Sequence, residues 1–439
     1  MVENLKSSLA ETSRGTSPTN NPADIPTDRS ILLLSCAGFL VIAGIYIADR
    51  MWVSIIAKDP NGHNWGSWGT NIFVPLSMIL TAIVVGSVVV LNPRQSAHAV
   101  TTPDATSRAT SIGWLLFAAL LVIHLGFAGL HFGRAQYPKI DTLTFQRDAC
   151  ASLLHGENPF GSTQANIFDA YHTPLFYGPG MVVNGRVQVG FQYPPITLLW
   201  VAPGYLLGDV RFSYVFAIII TAFFWFLICP DSRGLWLAAA LLLSPVTFLV
   251  EFLCWTEPLV LVVLSVAVYA ALRKKWWLPI ALGLFLATKQ YNFLALPLMG
   301  LLIRPFNWKA YWKLTGQSLG VAAITVLPFA IWNFRGLWHD LVLFHLAQPF
   351  RQDAVSFAVP FPWMLKVGLL LLVAFLVLAV RAAKPSPAIF AAAYGLSLLL
   401  FVSTNKQAFT NYYFLIGNAF LLAVAALPSR ANITDQAPA

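Results

Sequence analysis

Apolar runs about as long as a bilayer is thick alternate along the chain with short polar joints. The runs at 31–48, 72–91, 112–131, 212–229, 234–250, 257–272, 276–288, 291–303, 317–332, 363–380, 388–403 and 409–427 predict about twelve membrane-crossing helices. Two of them, 276–288 and 291–303, fall short of the roughly 20 residues of a full crossing, so they also fit one broken hairpin around Lys289 to Asn292. The stretch 194–208 opens on Pro194 and Pro195 and is interrupted by Pro203 and Gly204, which predicts an interfacial helix and not a crossing. Asp141, Phe145, Ala149 and Leu153 recur every fourth residue, placing one carboxylate and three apolar side chains on one helical face that Gly156 and Pro159 close.

Orientation follows from the charges between the runs. With the N-terminus in the cytoplasm, the inner joints hold twelve cations, Arg273, Lys274 and Lys275 among them, against three carboxylates, whereas the outer segments hold eleven of each. Counting 194–208 as a crossing would carry the 273–275 cluster outside. Setting aside the polar tail 1–30, eleven of the fourteen carboxylates, Glu251 included, lie on the outer side. Chemistry is therefore expected there, on the segments 132–211 and 333–362. Cys150 and Cys254 fall on the same side and Cys229 on the other. The tails 1–30 and 428–439 are read as cytoplasmic, the first as disordered.

Composition sharpens this picture. With 57% hydrophobic and 10% charged residues the chain is not a soluble protein, for which about 25% charged is usual. The net charge of +9 sits in single cations and not in a basic stripe interleaved with aromatics, so nucleic acid is excluded as a partner. Four cysteines without a Cys-x-x-Cys pair give neither a disulfide framework nor a zinc site. No metal or other cofactor is expected.

Several polar residues stand out at outer boundaries. Asp141 heads its apolar stripe and is either a catalytic carboxylate, or an N-cap or solvated loop acid, while Asp148, beside Arg147 and off the stripe, reads as solvated. Lys289, Arg351 and Lys406 each sit at an outer helix end among Gln290, Tyr291, Gln348, Gln352, Asn405 and Gln407. They are either anion-binding cations or snorkelling anchors. Glu257 after Thr256 is either a favourable charge at a helix start or a ligand for hydroxyls. His172, His339 and His345 are polar loop residues or weak ligands.

The order Asp141, Phe145, Ala149, then Leu154-His155-Gly156-Glu157-Asn158-Pro159-Phe160, then Phe191-Gln192-Tyr193-Pro194-Pro195, resembles the GT-C superfamily of polytopic glycosyltransferases and its bacterial mannosyltransferase-like branch. Thr256-Glu257-Pro258, Ala287-Thr288-Lys289-Gln290, the loop 344–353, Asn405-Lys406-Gln407 and Asn411-Tyr412-Tyr413 continue the likeness over most of 112–427. Two features depart from the family pattern. Two runs, within 31–111, precede the Asp loop, and a single Asp141 between Ile140 and Thr142 stands where an acidic pair is usual.

The resemblance implies an all-α, polytopic GT-C fold with interfacial helices in a long outer loop. It implies inverting transfer of a sugar, of mannose type, from a polyprenyl-phosphate donor to a lipid, glycan or protein acceptor, on the outer face of a bacterial inner membrane. Asp141 would be the general base. Lys289, Arg351 and Lys406 would hold the donor phosphate, with Tyr193, Gln192, Glu257, Gln290, Asn405 and His172 around the substrates. Two other classes fit twelve crossings: a transporter or lipid flippase, and a non-catalytic membrane scaffold. The first calls for ionisable groups near the bilayer midplane.

Overall fold

The computed structural model describes residues 103–134, 137–138, 140–351 and 354–427. The expected tails and the runs 31–48 and 72–91 lie outside the described residues. Helix α1 (Pro103–Arg134) extends the predicted run at both ends, with its apolar stretch at Ser111–Leu130. The amphipathic helix α2 (Asp141–Leu154) is the next helix in the chain. Next come α3 (Thr173–Phe176), the predicted interfacial α4 (Pro195–Leu206) and α5 (Arg211–Ile228). The run 234–250 divides into α6 (Ser232–Leu242) and α7 (Pro245–Phe252), bent by 47° where Ser244 precedes Pro245.

Helix α8 (Glu257–Leu272) leads to α9 (Leu278–Thr288), which stops at Lys289 in extended conformation. Beyond it, residues 290–302 form single turns, of which only α10 (Ala295–Leu298) is α-helical. The break that the sequence allowed around Lys289 to Asn292 is therefore present. After it come α11 (Trp308–Trp338), a π-helical turn (His339–Leu343), α12 (Phe344–Ala347), α13 (Met364–Ala382), α14 (Pro387–Ser403) and α15 (Thr410–Ala425).

Among the described residues, four segments are long and apolar enough to cross a membrane alone: Ser111–Leu130, α5, the continuous stretch Trp308–Ala347, and α13. The bent pair α6 and α7 makes a fifth if taken as one span. Helices α8, α9, α14 and α15 match predicted runs but are 11 to 17 residues long. They form the interior. Almost every side chain of α15 is buried, and it packs on α14 and α8. Helices α1 and α13 turn Leu115, Val122, Leu370 and Leu378 outward, as lipid-facing helices do.

The chain is mostly helical but not purely α as expected. Residues β1 (Gln164–Ala165), β2 (Val182–Val183) and β3 (Arg186–Val187) form a small antiparallel sheet in the order β1-β3-β2. Its hairpin turns on Asn184 (φ 52°) and Gly185 (φ 73°), the two left-handed positions that an Asn-Gly pair supplies to a tight turn.

This region is fastened to α11. Gly161, at φ +74°, meets Gly336 so closely that a Cβ on it would lie 2.8 Å from the Gly336 Cα. The fully buried Asp340 carboxylate accepts hydrogen bonds from Gly161 N–H (2.8 Å) and Gly190 N–H (3.0 Å). Residues 159–193 are thereby held over the ends of the helices.

Candidate functional site

Asp141 is the first helical residue of α2, and Ile140, with φ −137° and ψ 138°, occupies the cap position without a side-chain bond. The N-cap reading of Asp141 thus falls away. Phe145 and Ala149 on the same face are fully buried, while Asp148 pairs with Arg147 at 3.6 Å on the exposed side. Two anchors hold the helix. Thr142 Oγ1 donates to the Leu253 carbonyl (2.9 Å) and Gln146 Nε2 to the Cys254 carbonyl (2.8 Å). Tyr214 O–H closes on Gln146 Oε1 at 2.5 Å.

The Asp141 carboxylate receives Thr142 N–H on Oδ1 (2.7 Å) and the Tyr177 hydroxyl on Oδ2 (3.3 Å). Burial pushes its pKa above the ordinary carboxylate value. The Arg351 charge, the Thr142 amide and the Tyr177 hydroxyl pull it partly back. Arg351 lies between the rings of Phe176 (4.4 Å) and Phe409 (4.8 Å), and its N–H bonds the Lys406 carbonyl (3.1 Å). These ring contacts hold the guanidinium where its charge acts on Asp141. Lys406 donates to the carbonyls of Leu346 (2.8 Å) and Gln348 (2.6 Å), tying the 404–406 turn to the end of α12.

Lys289 belongs to a second, drier part of the same cluster. Its ammonium touches Glu257 Oε1 and Thr256 Oγ1, each at 2.5 Å, and lies 4.9 Å from the Tyr193 ring, 5.3 Å from Tyr412 and 5.5 Å from Tyr291. Burial lowers the lysine pKa, and Glu257 opposes that. The fully buried Glu257 also accepts Tyr291 O–H (3.2 Å) and Asn411 Nδ2 (2.6 Å). Lys289 is therefore neutralised inside the protein. The chain leaves the α9 helix at Lys289, whose backbone is extended.

Tyr193 links the two parts, because its ring faces Lys289 and its hydroxyl is pushed well above its ordinary pKa by burial and by the Asp141 and Glu257 carboxylates. Gln192 donates to the Tyr193 hydroxyl (3.3 Å), and its carbonyl receives Gln290 Nε2 (2.9 Å) and His345 Nε2 (2.9 Å). Asn405 shapes the turn through Lys406 N–H on its Oδ1 (2.7 Å). His172 does not join the cluster: it pairs with Asp169 at 2.8 Å on the surface.

The sequence reading missed Tyr177 and gave Asn411 and Tyr412 no role. Tyr177 sits 36 residues from Asp141 in a loop without periodicity, so no local signal announced the pairing. Among the described residues no group of histidine, cysteine and acidic side chains could hold a metal.

Cys150 and Cys254, placed outside by the charge pattern, have fully shielded thiols, and burial pushes Cys150 up to about 12. Impermeant maleimide should leave both unmodified until the protein is unfolded. Asp148→Asn should lower any activity of this site by less than about tenfold, far below the 10²–10⁴ of a lost acid or base. A larger loss would move the catalytic carboxylate two turns along α2.

No protein-family model, no curated protein and no solved structure matches this chain.

Proposed function

We propose that this chain is a membrane glycosyltransferase of GT-C type. In this reading it moves a sugar, of mannose type, from a polyprenyl-phosphate donor to an acceptor hydroxyl, with inversion, on the outer face of a bacterial inner membrane. The shorter apolar helices complete about twelve crossings and both termini are cytoplasmic. The observation that carries the reading is the half-buried Asp141 carboxylate coupled to the Arg351 guanidinium within an aromatic-lined cluster at one end of the helices.

In the step, the acceptor oxygen attacks the anomeric carbon as the bond to the phosphate oxygen breaks. Polyprenyl phosphate leaves with the electron pair, and the acceptor proton passes to Asp141. Arg351 faces the growing phosphate charge with a planar fork, and Lys406 adds a positive charge nearby. Lys289, spent on Glu257, orients Tyr193 and Tyr412 toward the sugar in place of binding phosphate directly. The donor tail lies in a groove between helices.

A panel of radiolabelled polyprenyl-phosphate sugars given to the purified protein in vesicles tests this. Label should move to acceptor with release of polyprenyl phosphate, and no transfer from any donor would remove the reading. The broken element at Lys289 with its buried charge gives a transporter or flippase some support. That rival predicts movement of intact labelled lipid across the vesicle.

The base works only when ionised, so the rate should rise with pH along an acid limb set by Asp141, displaced above the usual carboxylate range. Arg351→Ala removes the charge that lowers this pKa, so the limb should move to higher pH and the plateau should fall. Arg351→Lys should restore the limb and only part of the plateau. A limb that stays in place in Arg351→Ala would mean that another group is the base.

A further inference from the structure

His124, in the apolar part of α1, faces Glu251 of α7: the Nε2 to Oε1 distance is 3.1 Å and both side chains are fully buried. The sequence placed Glu251 among the outer acids; the structure puts it in the interior. His124 Nδ1 lies 2.8 Å from the Leu242 carbonyl, and its ring stacks on Phe248 at 5.1 Å. Apart from each other, Nε2 and the two carboxylate oxygens have no hydrogen-bonding partner among the described residues.

A carbonyl only accepts, so Nδ1 holds a hydrogen and a neutral imidazole would turn its lone pair on Nε2 toward Glu251. An ionised carboxylate would then oppose lone pair to lone pair with an unpaired charge in the interior, a costly arrangement. One proton between the two atoms removes both problems. Imidazolium with carboxylate and imidazole with carboxylic acid are equally neutral overall.

Other charges do not reach the pair. Among the described residues, the only ionisable side chain acting on either is the other. On the neighbouring elements, Arg211 of α5 is bound by Asp209 (2.6 Å), Arg233 of α6 by Cys229 and the Leu427 carbonyl, and Glu257 of α8 by Lys289. The remaining titratable groups there are Tyr214, Tyr269, Cys254, Tyr412 and Tyr413, which are uncharged near neutral pH.

The position of this contact gives it a consequence. Glu251 is two and three residues before the Leu253 and Cys254 carbonyls from which α2 hangs by Thr142 and Gln146. Helix α1, which His124 holds, is the element that runs into the start of α2. The pair therefore joins the two supports of Asp141.

We propose that His124 and Glu251 share a single proton and together act as a positioning pair for Asp141, locking α1 to the end of α7. The positioning role rests on the transfer reaction proposed above; the shared proton does not.

The test uses the full chain in mixed micelles, with equilibrium unfolding followed from pH 7 to 9 in wild type and Glu251→Gln. Glutamine can donate its amide hydrogen to Nε2 without an extra proton. The folded wild type should hold one proton more than its unfolded chain above the ordinary glutamate and histidine pKa values, and the variant none. Its folded-to-unfolded ratio should thus fall about tenfold per pH unit relative to Glu251→Gln. Parallel curves would overturn the shared proton.

For the positioning role, the double variant His124→Leu/Glu251→Leu replaces both polar groups by apolar ones and should fold. Its turnover should drop by about 10²-fold at unchanged donor KM, as for a displaced catalytic group, whereas Glu251→Gln should keep wild-type turnover. A folded double variant with wild-type turnover, or a Glu251→Gln protein that loses it, would overturn positioning. A wild type that transfers no sugar would remove the transferase reading and leave the unfolding curves to decide the proton.

Discussion

Asp141→Asn should lower sugar transfer by about 10²–10⁴-fold, the loss expected when a general base is removed, while the protein folds and binds donor as before. The change keeps the side-chain volume, and the amide oxygen can still accept from the Thr142 N–H seen at 2.7 Å. Stability should rise or stay level. The folded-state pKa of Asp141 is raised, so the native chain retains this proton where the unfolded chain releases it, and stability falls as pH climbs from the usual carboxylate value to the raised one. Asparagine abolishes that decline. Single-turnover assays on the purified variant decide the matter: turnover close to wild type means that Asp141 is not the base.

Lys289→Ala should give the largest loss of stability, about 3–5 kcal/mol, because it leaves the fully buried Glu257 carboxylate without its counter-charge. Tyr291 and Asn411 would still donate to Glu257, but neither carries charge. The double variant Lys289→Met/Glu257→Gln removes both charges and should regain most of the lost stability. Denaturant titration in mixed micelles measures both. A single variant as stable as wild type would show that the lysine is solvated. A folded, fully active double variant would make the pair purely architectural and leave Arg351 and Lys406 as the cations that serve the substrate.

Much of the architecture was legible because apolar length is a local property. Helices α5, α8, α13, α14 and α15 begin and end within two residues of the runs at 212–229, 257–272, 363–380, 388–403 and 409–427. The short helix α4 and the break near Lys289 were also visible, through prolines and a short run. The Asn184-Gly185 hairpin was overlooked although Val-Val-Asn-Gly-Arg-Val is a strong turn signal.

For the candidate site, the residue pattern alone identified one carboxylate heading α2, the cations at 289, 351 and 406, and Tyr193. Only the tertiary structure decided what each charge meets. Lys289 finds Glu257 across 32 residues, His124 finds Glu251 from another helix, and of the cations at 289, 351 and 406 it is Arg351 whose charge acts on Asp141. The reason is physical. A hydrophobic run sets its own helix through burial that depends on local composition, whereas the state of a buried charge depends on its nearest opposite charge, and folding, not spacing along the chain, brings that partner into contact.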